Sequence, residues 1–201
     1  MPGQNNALLV IDIQNDFCSS GRLAGAGGDE IINEINDLMA QFGLVILTQD
    51  WHPPDHQSFA SQHIAAKPFD LIQMPYGPQV LWPDHCVMGT LGAAFHDSLH
   101  TGKSHLFIRK GFRRAIDSYS AFFENDKKTT TGLEGYLHNR GITELTIVGL
   151  ATDYCVRYSA EDAARLGLNV SVKLDLCRAI DTNDSLTLAL DSVRELGAKL
   201  C

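Results

Sequence analysis

Cys155 lies in the stretch "GLATDYCVRYSAEDAARLG" (149–167), after the apolar run "LTIVGL" and at the opening of a segment of helix-forming composition that ends at Gly167. A thiol in the first turn of a helix meets free N–H groups and the positive end of the helix dipole, which lower its pKa. The same N–H groups can receive an oxyanion when the thiolate attacks a carbonyl. A cysteine is by default a small buried apolar residue, so packing and nucleophilic readings both stand at this point. No histidine closes a strand to serve as base. The ionisable groups at matching strand ends are Asp12, after "NALLVI", and Lys110, after "SHLFIR". A partly desolvated carboxylate beside a thiol has its pKa raised toward that of a proton acceptor, and a neighbouring lysine keeps both groups ionised and in place. The plainer reading is a buried Asp–Lys pair that serves the fold.

A second constellation is Asp50, His52 and His85. "DWH" places a carboxylate and an imidazole at i and i+2 where a strand leaves the sheet, and such residues point the same way on an extended chain. His85, in "WPDHC", folds back from a long connection. One carboxylate with two imidazoles suits zinc, or iron or manganese if more waters bind. His56 offers a fourth ligand or an outer contact. "GRLAGAGG" (21–28) is glycine-rich, but it does not follow a strand directly and does not fit the dinucleotide fingerprint.

These residues need elements to position them. "NALLVIDI" (6–13), "GLVILTQD" (43–50), "SHLFIRK" (104–110), "ITELTIVGL" (142–150) and "LNVSVKLDLC" (168–177) read as strands, and "AKLC" as the stub of a sixth. Helical patterns lie between them, in "GGDEIINEINDLMAQFG", in the segment that Cys155 opens and in "TNDSLTLALDSVRELG". Strand–helix alternation with nearly continuous apolar strands predicts an α/β protein, a mostly parallel sheet covered on both faces. Open parallel sheets bind ligands outside the carboxyl ends of their strands, where Asp12, Asp50, Lys110 and Cys155 all fall. Residues 51–103 form a long connection that carries both tryptophans, with a short helix predicted around "TLGAAFHDSLH". Connections of that length tend to be functional.

The 201 residues predict one domain, 1–201, without linkers or repeats. A formal charge of −8 disfavours nucleic acid and anionic membrane surfaces as partners. "RKGFRR" (109–114) is the densest basic cluster and reads as a solvated turn. The start of the chain lacks a signal-peptide pattern, no apolar run would span a bilayer, and five scattered cysteines suit a reducing compartment, so a cytoplasmic location is expected.

"VIDIQNDF", "TQDWHPPDHQSFAS", "LWPDHCVMGT", "RKGFRRAIDSYSAFF" and "GLATDYCV" together resemble the bacterial nicotinamidases of the cysteine-hydrolase (isochorismatase-like) superfamily, over residues 6 to about 180. The resemblance implies a three-layer α/β/α sandwich with a Rossmann-like sheet of strand order 3-2-1-4-5-6. It makes Asp12, Lys110 and Cys155 a catalytic triad, and Asp50, His52 and His85 the ligands of one divalent metal ion. It places an oxyanion hole at the amides of Ala151 and Cys155, with a cis peptide between Leu150 and Ala151. Phe17, Trp82 and Tyr119 would wall the ring pocket, although each could equally be plain core. His56 is not carried over, because its spacing is shorter than in relatives with a fourth ligand. The implied reaction turns nicotinamide into nicotinic acid and ammonia in NAD recycling, with pyrazinamide as an analogue substrate; the oligomeric state stays open. The rivals are a relative acting on another small amide, a non-catalytic binding member, and a zinc hydrolase in which Cys155 is inert.

Overall fold

The first strand, β1 (Asn6–Ile11), is apolar from Ala7 onward and buried along that length, as expected of a central parallel strand. The computed structural model describes residues 5–201. After β1 come α1 (Ile32–Met39), β2 (Val45–Asp50), a hairpin of β3 (Leu71–Met74) and β4 (Gly77–Val80), β5 (Leu106–Lys110), α2 (Leu133–Asn139), β6 (Glu144–Leu150), α3 (Arg157–Arg165), β7 (Asn169–Arg178), α4 (Ser185–Glu195) and β8 (Lys199–Leu200). Six strands form one sheet in the order β5-β2-β1-β6-β7-β8, every pair parallel. Counting only these six, the order is 3-2-1-4-5-6. The "AKLC" stub does pair, as the two-residue β8 against β7.

Alternate residues of β1 enter opposite cores. Ala7, Leu9 and Ile11 pack with Leu133 and Leu137 of α2 and with Ala160 and Ala163 of α3. Leu8 and Val10 pack with Ile32, Ile35 and Met39 of α1, and with Trp82 and Cys86 from the long connection. Both faces of the sheet are therefore covered, which leaves the carboxyl ends of the strands as the natural place for a site.

Three expectations change. The helix predicted around residues 90–100 is absent. The carbonyls of Gly92 and Ala94 accept the amides of Asp16 and Asn15, each at 3.0 Å, so they are committed to another segment and not to a helix. Gly92 is also required there, because a Cβ would overlap the Asp16 carboxylate. The first helix begins at Ile32, several residues later than its pattern suggested. α2 was not anticipated; it buries only Leu133 and Leu137, too short an apolar stripe to stand out.

The basic cluster at 109–114 is internally spent. Arg109 lies over the Trp51 ring at 4.0 Å, Arg113 pairs with Glu124 at 3.2 Å, and Arg114 pairs with Asp55 at 2.6 Å. Among the described residues no helix is long and apolar enough to cross a membrane.

Candidate active site

β1, β2 and β5 end at one edge of the sheet, where Asp12, just past β1, and Asp50 and Lys110, the last residues of β2 and β5, meet Cys155 from the turn after β6. Lys110 is 1% exposed, and its ammonium is the hub of the cluster. Its Nζ lies 2.8 Å from Asp12 Oδ2, 2.5 Å from Asp50 Oδ1, 3.3 Å from Cys155 Sγ and 3.2 Å from the Ser118 carbonyl. Burial alone would lower the Lys110 pKa, but the two carboxylates raise it well above the usual lysine value.

Asp12 is fully buried and clamped by Thr48. Its backbone N–H donates to Thr48 Oγ1 at 3.1 Å, and that hydroxyl donates back to Asp12 Oδ1 at 2.5 Å. Oδ2 has the ion-pair contact with Lys110, and no other donor among the described residues reaches it. One carboxylate oxygen of Asp12, one of Asp50 and the Cys155 sulfur lie within 4.8 Å of one another. Burial raises the Asp12 pKa, opposed by Lys110 and reinforced by Asp50. Asp12 therefore has a free acceptor lone pair beside a thiol.

Cys155 requires a correction. It does not open an α-helix; it is the fourth residue of a π-helical turn, Thr152–Val156, and α3 begins only at Arg157. Its pKa is not lowered but raised well above the usual thiol value, first by burial and then by Asp12 and Asp50, with Lys110 pulling the other way. The desolvation of a sulfur sealed under the sheet edge outweighs the pull of the Lys110 ammonium. At rest the group is a thiol that needs a base. The turn follows a cis peptide between Leu150 and Ala151. Gly149 leads into it at φ 118°, packed so closely on the Ile11 backbone that no Cβ would fit.

The second cluster is built just as tightly. His52 Nδ1 contacts the Gly111 carbonyl at 2.8 Å, and His85 Nδ1 contacts the Pro83 carbonyl at 2.9 Å. A carbonyl can only accept, so each Nδ1 carries the proton and a neutral ring keeps its lone pair on Nε2. Both Nε2 atoms face Asp50 Oδ2, at 3.7 and 3.9 Å. Asp50 Oδ1 is taken by Lys110, so Oδ2 and the two Nε2 atoms turn lone pairs toward one point. This donor set fits a divalent cation, with each imidazole oriented from behind by a carbonyl. Burial alone would raise Asp50, but Lys110 and His52 hold it well below the usual carboxylate value. Burial and the neighbouring His52 push His85 down to about 4, while Asp50 outweighs burial at His52 and raises it.

His56 is not in this set. Its Nδ1 meets Ser58 Oγ at 2.7 Å, its Nε2 faces the Ile116 carbonyl at 3.2 Å, and its ring lies tilted against that of His52, 4.5 Å between centroids. It is an outer contact. Gly111, at φ 66°, leaves room for the His52 ring, into which any Cβ would run.

The two clusters meet in one small pocket at the sheet edge. Asp50, His52, His85, Ala151 and Cys155 line it together with Phe17, Trp82 and Tyr119. Asp12 and Lys110 stand buried behind them. Leu23, Asp117, Tyr154 and Ile180 complete the lining. These four, and Thr48, were not anticipated. Thr48 lies on the same strand face as Asp50, a signal that alternation does carry; nothing local marks Asp117. Tyr119 accepts from Trp82 Nε1 at 3.2 Å and from Gln79 Nε2 at 2.7 Å, which fixes that wall.

The isochorismatase domain model matches residues 6–201. The chain belongs to the isochorismatase family. Within the family it is 54% identical to the nicotinamidase of Acinetobacter baylyi, over 97% of this chain and 91% of that protein. Among solved isochorismatase-family structures, the nicotinamidase and pyrazinamidase of Acinetobacter baumanii aligns with a TM-score of 0.98 at 48% identity, covering 100% of this chain and 97% of that one. The pyrazinamidase of Pyrococcus horikoshii, solved in complex with zinc, aligns with a TM-score of 0.79 at 32% identity, covering 98% of each chain.

Proposed function

We propose that this protein is a nicotinamidase, which hydrolyses nicotinamide to nicotinic acid and ammonia in NAD recycling, the whole chain acting as one domain. The observation that carries the reading is the meeting, in one cavity, of a thiol with an adjacent free carboxylate oxygen and three convergent metal-type lone pairs. The names of the relatives above support the substrate, with pyrazinamide as its analogue.

Asp12 takes the proton of Cys155 as the sulfur attacks the carboxamide carbon. The amides of Ala151 and Cys155 receive the resulting oxyanion. Asp12 passes its proton to the amine as the C–N bond breaks, releasing ammonia and leaving a nicotinoyl thioester. Water, deprotonated by Asp12, attacks that thioester; nicotinic acid leaves, and the Cys155 thiol is restored. Lys110 stays protonated throughout and offsets the negative charge that moves between sulfur and carboxylate. Phe17, Trp82 and Tyr119 hold the pyridine ring.

Asp50, His52 and His85 would hold one divalent ion, zinc by donor type and by the zinc-bound relative, which supplies a Lewis acid toward the pyridine nitrogen. Ammonia release from nicotinamide by the purified protein is expected to vanish on metal stripping and return on adding zinc. A metal-loaded protein that releases no ammonia overturns the assignment. Zinc affinity should also rise with pH through and above the ordinary imidazole range. The raised His52 pKa means that a proton on its Nε2 competes for the cation's place. Chelator competition at about pH 5.5 and about pH 7.5 tests this, and equal affinities would refute it.

A further inference from the structure

The motif "DIQND" (12–16) supplies Asp12, and Gln14 and Asp16 of the same stretch are buried with it. Gln14 is fully buried. Its Nε2 donates to the Asp50 carbonyl at 2.9 Å and to the Ala93 carbonyl at 2.8 Å, and its Oε1 accepts the Asp50 amide at 2.8 Å. The β1–β2 pairing ends at Val10 and Leu47, and further along the Gln14 side chain grips both backbone groups of Asp50 as a neighbouring strand would. Asp16 does the corresponding work for His85. Its Oδ2 accepts the Cys86 amide at 2.7 Å, and Cys86 sits at φ 45°, a left-handed conformation that a non-glycine residue keeps only when its surroundings impose it. Cys86 in turn accepts the His52 amide at 3.0 Å.

We infer that Gln14 and Asp16 are positioning residues of the metal centre: Gln14 sets Asp50 through its backbone, and Asp16 sets His85 through the Cys86 amide. One five-residue stretch then carries the base at its first position and the scaffolding of the cation site at its third and fifth. The inference rests on the metal reading proposed above.

The test is zinc affinity of the metal-stripped full chain, by competition with a chromophoric chelator, together with the visible spectrum of the cobalt-loaded protein. Gln14→Leu and Asp16→Ala should each weaken zinc by about 10- to 100-fold and alter the cobalt spectrum. Gln14→Glu keeps the acceptor for the Asp50 amide but loses both donors, and should fall between wild type and Gln14→Leu; it also serves if the leucine variant fails to fold. Asn15→Ala removes a hydrogen bond to the Leu91 carbonyl from the same stretch without touching either ligand segment, and should bind zinc as wild type does. Wild-type affinity and spectrum in the Gln14 and Asp16 variants overturn the inference alone, as does an equal loss in Asn15→Ala. A wild-type protein that takes up no zinc overturns it together with the metal reading.

Discussion

Cys155→Ala is expected to release ammonia from nicotinamide at least about 10⁴-fold more slowly than the wild type, because removing the nucleophile removes the thioester route altogether. Zinc uptake should be unchanged, since the sulfur is not among the three convergent lone pairs and Asp50 keeps its own contact with Lys110. Stability should move by only about 1 kcal/mol, the ordinary cost of a small buried truncation. The combination matters more than the loss. A metal-loaded alanine variant that still turned over nicotinamide at a substantial rate would favour the metal-activated-water reading, in which Cys155 is inert. Asp12, with its free Oδ2 and raised pKa, would then be a proton acceptor for water instead of a thiol.

Lys110→Met should strongly destabilise the metal-free fold. It leaves Asp12 and Asp50 buried without their shared cation, a loss of about 3–5 kcal/mol for a broken buried pair. The pH dependence follows from the directions of the shifts. In the wild type the Lys110 pKa is raised, so its contribution is complete below the ordinary lysine value and is lost only as pH rises through the higher folded one. Asp50 is held low, so its contribution is present above the ordinary carboxylate value and is lost as pH falls through the folded one. In the variant both carboxylates lose their partner and their folded pKa values rise. The folded variant then holds more protons than its unfolded chain, and its stability falls as pH increases. The gap between wild type and variant, from urea unfolding of the stripped proteins, should therefore narrow between about pH 8 and about pH 5. A gap independent of pH would show that the two carboxylates are not what Lys110 stabilises. Ammonia release should drop by at least about 10³-fold, the scale of losing a preorganised charge in a dry site.

Much of the site is legible because its signals are local. Asp12, Asp50 and Lys110 each end an apolar run, and a parallel sheet delivers strand ends to one edge whatever the order of its strands. The pairing of Asp50 with His52 needs only the two-residue period of an extended chain. The order 3-2-1-4-5-6 and the walls Phe17, Trp82 and Tyr119 are different: resemblance implied them, and no periodicity could have. The protein's α/β class and the clustering of its ionisable residues at one sheet edge were thus determined by the sequence alone, since apolar period and element ends are written in neighbouring residues.

Only the tertiary structure decided the direction of the Cys155 pKa shift, because a thiol's charge depends on how far the rest of the chain excludes water from it, and here burial outweighs the Lys110 ammonium. It decided that residues 90–100 fold as successive turns whose backbone groups bond residues 13–16, against their own helical pattern. It decided as well which way His52 and His85 face, since the carbonyls of Gly111 and Pro83 choose the tautomers. Thr48, Gln14 and Asp16 acquire their partners across 36 or 70 residues of chain. Contacts at that separation have no local pattern to announce them; they exist only once the sheet has brought the segments together.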